Sequence, residues 1–140
     1  MSEDTRVRLY TDGACRGNPG YGGAGAVLID ADGEVVASAK KFLGTCTNNE
    51  AEYNALILGL QETLKSGHAS IRILLDSELL VRQIQGAYRV KNTRLQTLMR
   101  EVRRHLAMFD GYTVEHVPRS ENAMADRLAN EAIDDAFDAV

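Results

Sequence analysis

The sequence contains few of the residues from which zinc sites and disulfide frameworks are built. Its 140 residues include two cysteines, three histidines and no tryptophan. Cys15 and Cys46 form no CxxC pair and have no histidine cluster nearby, which argues against a zinc site. A disulfide between them is disfavoured in a cytosolic chain, so we interpret both as small buried hydrophobic residues.

Long apolar runs are absent as well. No apolar stretch reaches the ~18 residues that a membrane helix needs. The N-terminal residues MSEDTRVRLY also lack the apolar segment of a secretory signal. We therefore expect a cytoplasmic protein without a membrane span. A content of 44% hydrophobic and 26% charged residues is typical of one globular domain, here residues 1–140.

An overall basic surplus, the usual mark of a nucleic-acid-binding protein, is missing too. The net charge is −4, from 16 basic and 20 acidic residues. The charges are segregated, however, because one stretch contains a single acid, Glu101, and six cations: Arg89, Lys91, Arg94, Arg100, Arg103 and Arg104. This stretch predicts either a local basic face that attracts a polyanion or a solvated helix face.

The first third of the chain has the pattern of an antiparallel β-meander. Residues 6–12 alternate and are rich in strand-forming residues, and residues 24–30 have the pattern of a second strand. A glycine-rich segment lies between them, and its Asn18-Pro19-Gly20 sequence marks a turn. Ala31-Asp32-Gly33 predicts a hairpin turn, because Asp-Gly tolerates the positive backbone angles of tight hairpins. Residues 34–42 return as the third strand.

Helices and further strands follow this meander. Thr47 and Glu50 have the spacing of a capping box, and an apolar stripe continues the helix to Gly67. The other predicted elements are a strand at 71–75, helices at 76–85 and 95–106, a strand at 112–117 and a helix at 121–136. The helix at 95–106 has an apolar stripe of Leu95, Leu98, Met99, Val102 and Leu106. A strand after a helix indicates a parallel crossover. The sequence thus predicts an α/β fold: a five-stranded mixed sheet, antiparallel meander plus parallel strands, flanked by helices. The acidic tail 134–140 is expected either to be disordered or to close against the sheet.

Four acids lie where predicted strands end or predicted helices begin: Asp12, Glu52, Asp76 and Asp126. Each alone is explained as a turn residue, a helix cap or a solvent-facing acid. Together, at one edge of a mixed sheet, they would repel each other unless cations compensated their charge. Carboxylate oxygens suit Mg²⁺ or Mn²⁺, and two such ions roughly 3.5–4 Å apart can catalyse phosphodiester hydrolysis.

The context of these acids resembles one enzyme family. The segments YTDGACRGNPGYGGAG, TNNEAEYNALILGL, LLDSELLVRQI and VPRSENAMADRLANEA are together similar to the type 1 ribonuclease H family, over about residues 6–134. The resemblance implies a ribonuclease H-like fold. It also implies a metal-dependent endonuclease that hydrolyses the RNA strand of RNA–DNA hybrids and leaves 5′-phosphate and 3′-hydroxyl ends.

The resemblance also implies roles for the acids. Asp12 would bridge two ions, Mg²⁺ or Mn²⁺, and Asp126 would share the ion that holds the attacking water. Glu52 and Asp76 would share the ion on the leaving-group side, with Glu52 near a ribose 2′-hydroxyl, the group that distinguishes RNA from DNA. Glu50 also lies in this segment, but its capping-box position explains it without chemistry.

Substrate contacts follow from the resemblance in the same way. Asn18 and Asn49 match polar positions that contact the hybrid in the minor groove, and Thr47 matches a position near a DNA phosphate. Their alternative interpretations are a turn residue, a first-turn residue and a helix cap. The substrate is expected to be the hybrid, with double-stranded RNA as an additional substrate, and the protein is expected to be a monomer.

Two departures from the family pattern affect these expectations. Many members carry a histidine in the loop before the last helix, where this chain reads HVPRSEN. We favour Arg119 as its functional substitute and interpret His116 as a packed strand residue. Some members also insert a basic protrusion after the second helix, and it is absent here. What remains there to bind the substrate is Tyr88, Arg89, Lys91 and Arg94, of which Arg89 and Lys91 are the main candidates, with weaker, strongly salt-dependent binding expected.

Three other functions compete with this interpretation. Gly20, Gly22 and Gly25 form a G-x-G-x-x-G pattern, but they precede a strand-like run, whereas a dinucleotide site requires a helix there. A DNA nuclease of the resolvase type would share the fold and the acidic site. A non-catalytic hybrid-binding module would also share the fold, although the presence of all four acids argues against it.

Overall fold

The computed structural model of the chain describes residues 4–138. Within this range the chain forms one five-stranded sheet and four α-helices, with a short 3-10 helix before the last of them. The elements are β1 (Val7–Gly17), β2 (Gly20–Ile29), β3 (Val35–Cys46), α1 (Asn48–Lys65), β4 (Ser70–Leu75), α2 (Glu78–Ile84), α3 (Thr93–Leu106), β5 (Gly111–His116), the 3-10 helix (Arg119–Asn122) and α4 (Ala123–Asp138).

The order of the strands across the sheet is β3-β2-β1-β4-β5. β1 and β2 are antiparallel, as are β2 and β3, whereas β4 is parallel to both β1 and β5. The predicted meander with parallel strands is therefore confirmed. β1 pairs with β4 only as far as Tyr10 opposite Leu74. Asp12 and Asp76 each lie two residues beyond this last pair, so the register itself places them side by side.

The first hairpin is longer than predicted, because the glycine-rich segment is part of it. The β1–β2 ladder continues from Asp12 opposite Gly25 to Gly17 opposite Gly20, and only Asn18 and Pro19 form the turn. The glycines are required by packing. A Cβ atom on Gly25 would lie 2.2 Å from the main-chain oxygen of Ala125, so only glycine lets α4 approach β2 this closely.

The main core lies between the sheet and the helices α1 and α3. Fully buried sheet residues such as Leu9 and Ile73 pack with Tyr53 and Leu56 of α1. The predicted stripe of α3 is buried at four positions, Leu95, Met99, Val102 and Leu106. Each fully buried side chain of this size contributes about 1.5–3 kcal/mol. This packing holds α1, and with it Glu52, against β1.

The last helix begins later than predicted. Residues 119–122 form the 3-10 helix, and α4 starts at Ala123 rather than at residue 121. The tighter turn has a local cause. Pro118 fixes the backbone where the 3-10 helix begins, and the Asn122 side chain donates a hydrogen bond to the Thr11 main-chain oxygen in the sheet.

The acidic tail is helical as far as it is described. Asp134 forms an ion pair of 2.7 Å with Arg16, and Asp135 forms one of 2.7 Å with Lys40 of β3. Phe137 packs edge-on against Tyr21 at a centroid distance of 5.0 Å. Of the two alternatives, disorder is therefore wrong up to Asp138, and residues 139 and 140 lie outside the described part. None of the described helices combines the length and apolar character that crossing a lipid bilayer requires.

Candidate active site

Three carboxylates meet at the edge of the sheet where β1 extends beyond β4. Asp12 lies within β1, Glu52 in the early turns of α1, and Asp76 directly after β4. One carboxylate oxygen from each lies within 4.8 Å of the others. Asp12 is 4% exposed, whereas Glu52 and Asp76 are partly exposed. The cluster is therefore buried at Asp12 and open to solvent at Glu52 and Asp76.

Gly13 determines how closely α1 approaches this cluster. A Cβ atom at position 13 would lie 2.3 Å from the carbonyl carbon of Ala51 and 2.5 Å from the amide nitrogen of Glu52. The Gly13 amide instead donates a hydrogen bond of 3.2 Å to Glu52 Oε1. The predicted capping box is present, with Thr47 and Glu50 each bonding the other's main-chain amide, so the start of α1 is fixed. Glu50 is thereby used in the cap, while Glu52 faces the cluster.

The carboxyl groups perturb one another strongly. Burial, and then the charge of Glu52 and hydrogen bonding with it, raise the pKa of Asp12 well above its ordinary value of 3.8. Hydrogen bonding with Asp126 is among the causes, which places this fourth predicted acid beside Asp12. Burial also raises the pKa of Glu52, while the hydrogen bond with Asp12, the Gly13 amide and the charge of Arg119 oppose the rise.

These shifts indicate what the cluster binds. Without a compensating cation, Asp12 keeps a proton at neutral pH. A divalent cation would supply the same compensation, and carboxylate oxygens are the ligands that Mg²⁺ and Mn²⁺ prefer. The donor set of Asp12, Glu52 and Asp76, with Asp126 adjacent, therefore fits a hard divalent metal ion.

Asn122 belongs to the site, although the sequence analysis did not single it out. Its side-chain amide donates 2.9 Å to the main-chain oxygen of Thr11 and 3.1 Å to Asp76 Oδ2. It is buried, with 1% of its surface exposed. In the sequence it stands directly before a helix, where asparagine is an ordinary capping residue, so no local signal distinguished it.

Arg119 and His116 both lie near Asp76 but have different surroundings. Arg119 begins the 3-10 helix and lines a cavity of about 360 Å³ together with the three clustered acids. His116 is the last residue of β5, and its Nε2 lies 3.2 Å from the main-chain oxygen of Asp76. His116 is exposed, so our interpretation of it as a packed strand residue is wrong: β5 is an edge strand, and its last side chain points away from the core.

A second cavity, of about 490 Å³, adjoins the acids and is called the groove below. Its polar lining includes the three predicted substrate-contacting residues, Asn18, Thr47 and Asn49. Asn48 lines both this groove and the acidic cavity, and its amide donates 3.1 Å to Asn18 Oδ1. The β1–β2 turn is thereby tied to the start of α1, and the two cavities form one continuous surface.

Of the cations that remain for substrate binding, the structure places Arg94 in the groove, but not the main candidates Arg89 and Lys91. Arg94 and Asn92, at the start of α3, line the groove, with Arg94 Nη1 4.0 Å from Glu50 Oε2. Arg89 and Lys91 are exposed in the connection before α3 and line neither cavity. Arg103 is used structurally, because it donates to the main-chain oxygens of Gln83 and Ile84 at the end of α2.

Comparison with known proteins gives consistent matches over nearly the whole chain. Residues 10–132 match the family described as "Reverse transcriptase-like". The chain is 44% identical over 131 residues to a ribonuclease HI of Halobacterium salinarum, covering 94% of this chain and 66% of that protein. It is 42% identical over 132 residues to a bifunctional protein of Mycobacterium tuberculosis, covering 94% of this chain but 36% of that protein. The chain thus spans less than two thirds of either relative.

Solved structures match at the level of the whole fold. The crystal structure of the Halobacterium salinarum ribonuclease H1 has a TM-score of 0.90 and 43% identity, covering 93% of this chain and 98% of that one. LC11 ribonuclease H1, solved in complex with an RNA/DNA hybrid, has a TM-score of 0.90 and 38% identity, covering 94% of this chain and 99% of that one.

Proposed function

Because the chain belongs to the type 1 ribonuclease H family, we propose that it is an endonuclease that hydrolyses the RNA strand of RNA–DNA hybrids with divalent metal ions. The observation that carries the proposal is the convergence of Asp12, Glu52 and Asp76 within 4.8 Å, with Asp126 adjacent. These four carboxylates would hold two ions, Mg²⁺ or Mn²⁺. Bound there, the ions would lower the pKa of a water molecule and stabilise charge on the phosphate oxygens. Hydrolysis of the phosphodiester would give 5′-phosphate and 3′-hydroxyl ends.

The residues around the acids prepare the site for this chemistry. The Gly13 amide and the packing of α1 hold the Glu52 carboxylate at the acidic cavity. Asn48 lines both this cavity and the groove, so a ribose 2′-hydroxyl of a duplex bound across the two could reach Glu52. We infer that this contact discriminates RNA from DNA, since the 2′-hydroxyl is the difference between the two sugars.

The groove beside the acids suits the backbone of the other strand. Thr47, Asn49 and Asn92 offer hydroxyl and amide groups, and Arg94 supplies the positive charge that a phosphate requires. Because Asn48 connects the groove to the acids, one duplex could place its RNA strand on the carboxylates and its DNA strand in the groove. Asn18 borders the same surface and would contact the minor groove between them.

Arg119 is positioned to act on the phosphate or on product release. It lines the acidic cavity, and its charge opposes the rise in the pKa of Glu52 that burial causes. A guanidinium stays protonated at neutral pH, so Arg119 would bind a phosphate oxygen and would not accept a proton. His116 bonds the Asp76 main chain from the rim of the site, and we assign it no chemical step.

We propose that the protein binds its duplex substrate weakly. Arg89 and Lys91 are the remaining cations of the connection between α2 and α3, and neither forms an ion pair within the described residues. Both stay candidate phosphate contacts for a duplex that extends beyond the groove. We infer that hybrid binding depends strongly on salt concentration and that the protein accepts double-stranded RNA as a poorer substrate. We also propose that the protein acts as a monomer in the cytoplasm.

The test is cleavage of matched duplexes of one sequence: RNA–DNA, RNA–RNA and DNA–DNA, each with either strand end-labelled. The proposal predicts metal-dependent cutting of the RNA strand of the hybrid, with the products carrying 5′-phosphates. Cutting of DNA–DNA alone would identify a resolvase-type nuclease instead. Binding of the hybrid without cutting in either metal, by folded protein, would identify a non-catalytic module.

A further inference from the structure

Asn122 joins three segments that carry the site. It lies between Arg119 and Asp126 in the chain, as the last residue of the 3-10 helix that precedes α4. Its Nδ2 donates 2.9 Å to the Thr11 main-chain oxygen, one residue before Asp12, and 3.1 Å to Asp76 Oδ2. One buried amide thus links the middle of β1 and the residue that follows β4 to the segment directly before the helix that bears Asp126.

The orientation of this amide is determined by chemistry. Both partners of Nδ2 are acceptors, so a flipped amide would place Oδ1 against a carbonyl oxygen and a carboxylate. In the observed orientation Oδ1 is buried, and no donor of the described residues bonds it. Both hydrogen bonds that the Asn122 side chain forms within the described residues are therefore donated by Nδ2, one to Thr11 and one to Asp76.

We propose that Asn122 is a positioning residue, which holds the Asp76 carboxylate in the orientation that metal binding requires. Asp76 follows the end of β4 and is partly exposed, so its side chain has few other constraints. By bonding Oδ2, the amide orients the carboxylate toward Asp12 and Glu52 without neutralising its charge. The inference rests on the metal-dependent part of the proposed function. Groups that orient metal ligands in this way typically change metal affinity or activity 10- to 100-fold when they are replaced.

The experiment compares two substitutions with a matched control. Asn122→Leu keeps the approximate size but removes the donor without adding charge, and Asn122→Ala removes the whole side chain. The control, Thr63→Val, removes another buried hydrogen bond, from Oγ1 to the Gly59 main-chain oxygen at 2.8 Å, in a residue that is 0% exposed and remote from the acids. Each protein is titrated with Mn²⁺ alone by calorimetry, and its melting temperature is measured in chelator. Hybrid cleavage then gives kcat, KM and the Mn²⁺ concentration for half-maximal rate.

The proposal predicts that both Asn122 variants bind Mn²⁺ on the order of 10- to 100-fold more weakly than the wild type. Their half-maximal Mn²⁺ concentration should rise in parallel, with KM for the hybrid changed less than about twofold. Thr63→Val should melt at a lower temperature but bind Mn²⁺ as the wild type does. Wild-type Mn²⁺ affinity in folded Asn122→Ala, with only the melting temperature lowered, would overturn the proposal, and this variant decides if Asn122→Leu does not fold.

Failure of the proposed function would appear in the wild type instead. A wild-type protein that binds Mn²⁺ but cleaves no hybrid would contradict the proposed function, while the calorimetric comparison would still decide the role of Asn122. A wild-type protein that binds no Mn²⁺ would overturn both. A normal wild type with unaffected Asn122 variants would overturn the positioning role alone.

Discussion

Substitution of Gly13 by alanine should disable the site from a position that has no functional group. A Cβ atom at residue 13 would lie 2.3 Å from the Ala51 carbonyl carbon and 2.5 Å from the Glu52 nitrogen, both main-chain atoms of α1. Carbon atoms pack at about 3.5–4.0 Å, so the start of α1 must retreat by more than about 1 Å. Because Glu52 is carried by this turn, its carboxylate would leave the cluster and lose the Gly13 hydrogen bond. A misplacement of this size costs about 100-fold in rate, and the overpacking costs about 1–3 kcal/mol in unfolding free energy.

The assay is steady-state cleavage of a hybrid in excess Mn²⁺, together with thermal unfolding. Gly111→Ala is the matched control, because a Cβ atom there would meet only Ser70 Oγ at 3.6 Å, an ordinary contact. We expect Gly111→Ala to retain wild-type kcat and Gly13→Ala to lose about 100-fold while remaining folded. Wild-type kcat in Gly13→Ala would refute the argument that the approach of α1 to β1 determines the position of Glu52.

Three further predictions concern the charges of the site. In chelator, the pKa of Asp12 is higher in the folded state than in the unfolded state, so folding favours the protonated carboxyl group. The resulting contribution to the free energy of unfolding is present at low pH and declines as pH rises above 3.8. The melting temperature of Asp12→Asn should therefore rise relative to that of the wild type as pH increases, and saturating Mn²⁺ should abolish this difference. Equal dependence of the two melting temperatures on pH in chelator would contradict the prediction. Arg119→Ala should lower kcat more than it weakens hybrid binding, measured by single-turnover kinetics and a binding titration, and an effect on affinity alone would reduce Arg119 to a phosphate clamp. Arg94→Ala should weaken hybrid binding and reduce the slope of log affinity against log salt by about 1, with saturated turnover unchanged, whereas an unchanged slope would remove Arg94 from the phosphate contacts.

The sequence was sufficient to predict the elements whose periodicity reflects the core. The stripe of α3 and the capping box of Thr47 and Glu50 are local patterns, and the structure contains both. The boundaries of the first hairpin were not predictable in this way. Gly23 and Gly25 have the composition of a loop, but they are glycines because α4 packs directly on β2, a contact between segments about 100 residues apart.

The candidate site was predictable to the extent that its residues carry charge at element ends. The register of β1 and β4 brings Asp12 and Asp76 together, which the order of strands and helices anticipates. Asn122 was missed because its partners, Thr11 and Asp76, are distant in sequence. Arg94 was not distinguished from Arg89 and Lys91 because only the position of α3 determines which of these cations faces the groove.

The central claim is that the four carboxylates form a metal-dependent site for cutting RNA in a hybrid. The most direct measurement is single-turnover cleavage of a hybrid with labelled RNA by the wild type and by Asp12→Asn, in Mg²⁺, in Mn²⁺ and in chelator. The account predicts cleavage by the wild type with either metal, none in chelator, and none by folded Asp12→Asn under any condition. Cleavage by the wild type in chelator, or near-wild-type rates for Asp12→Asn, would contradict it.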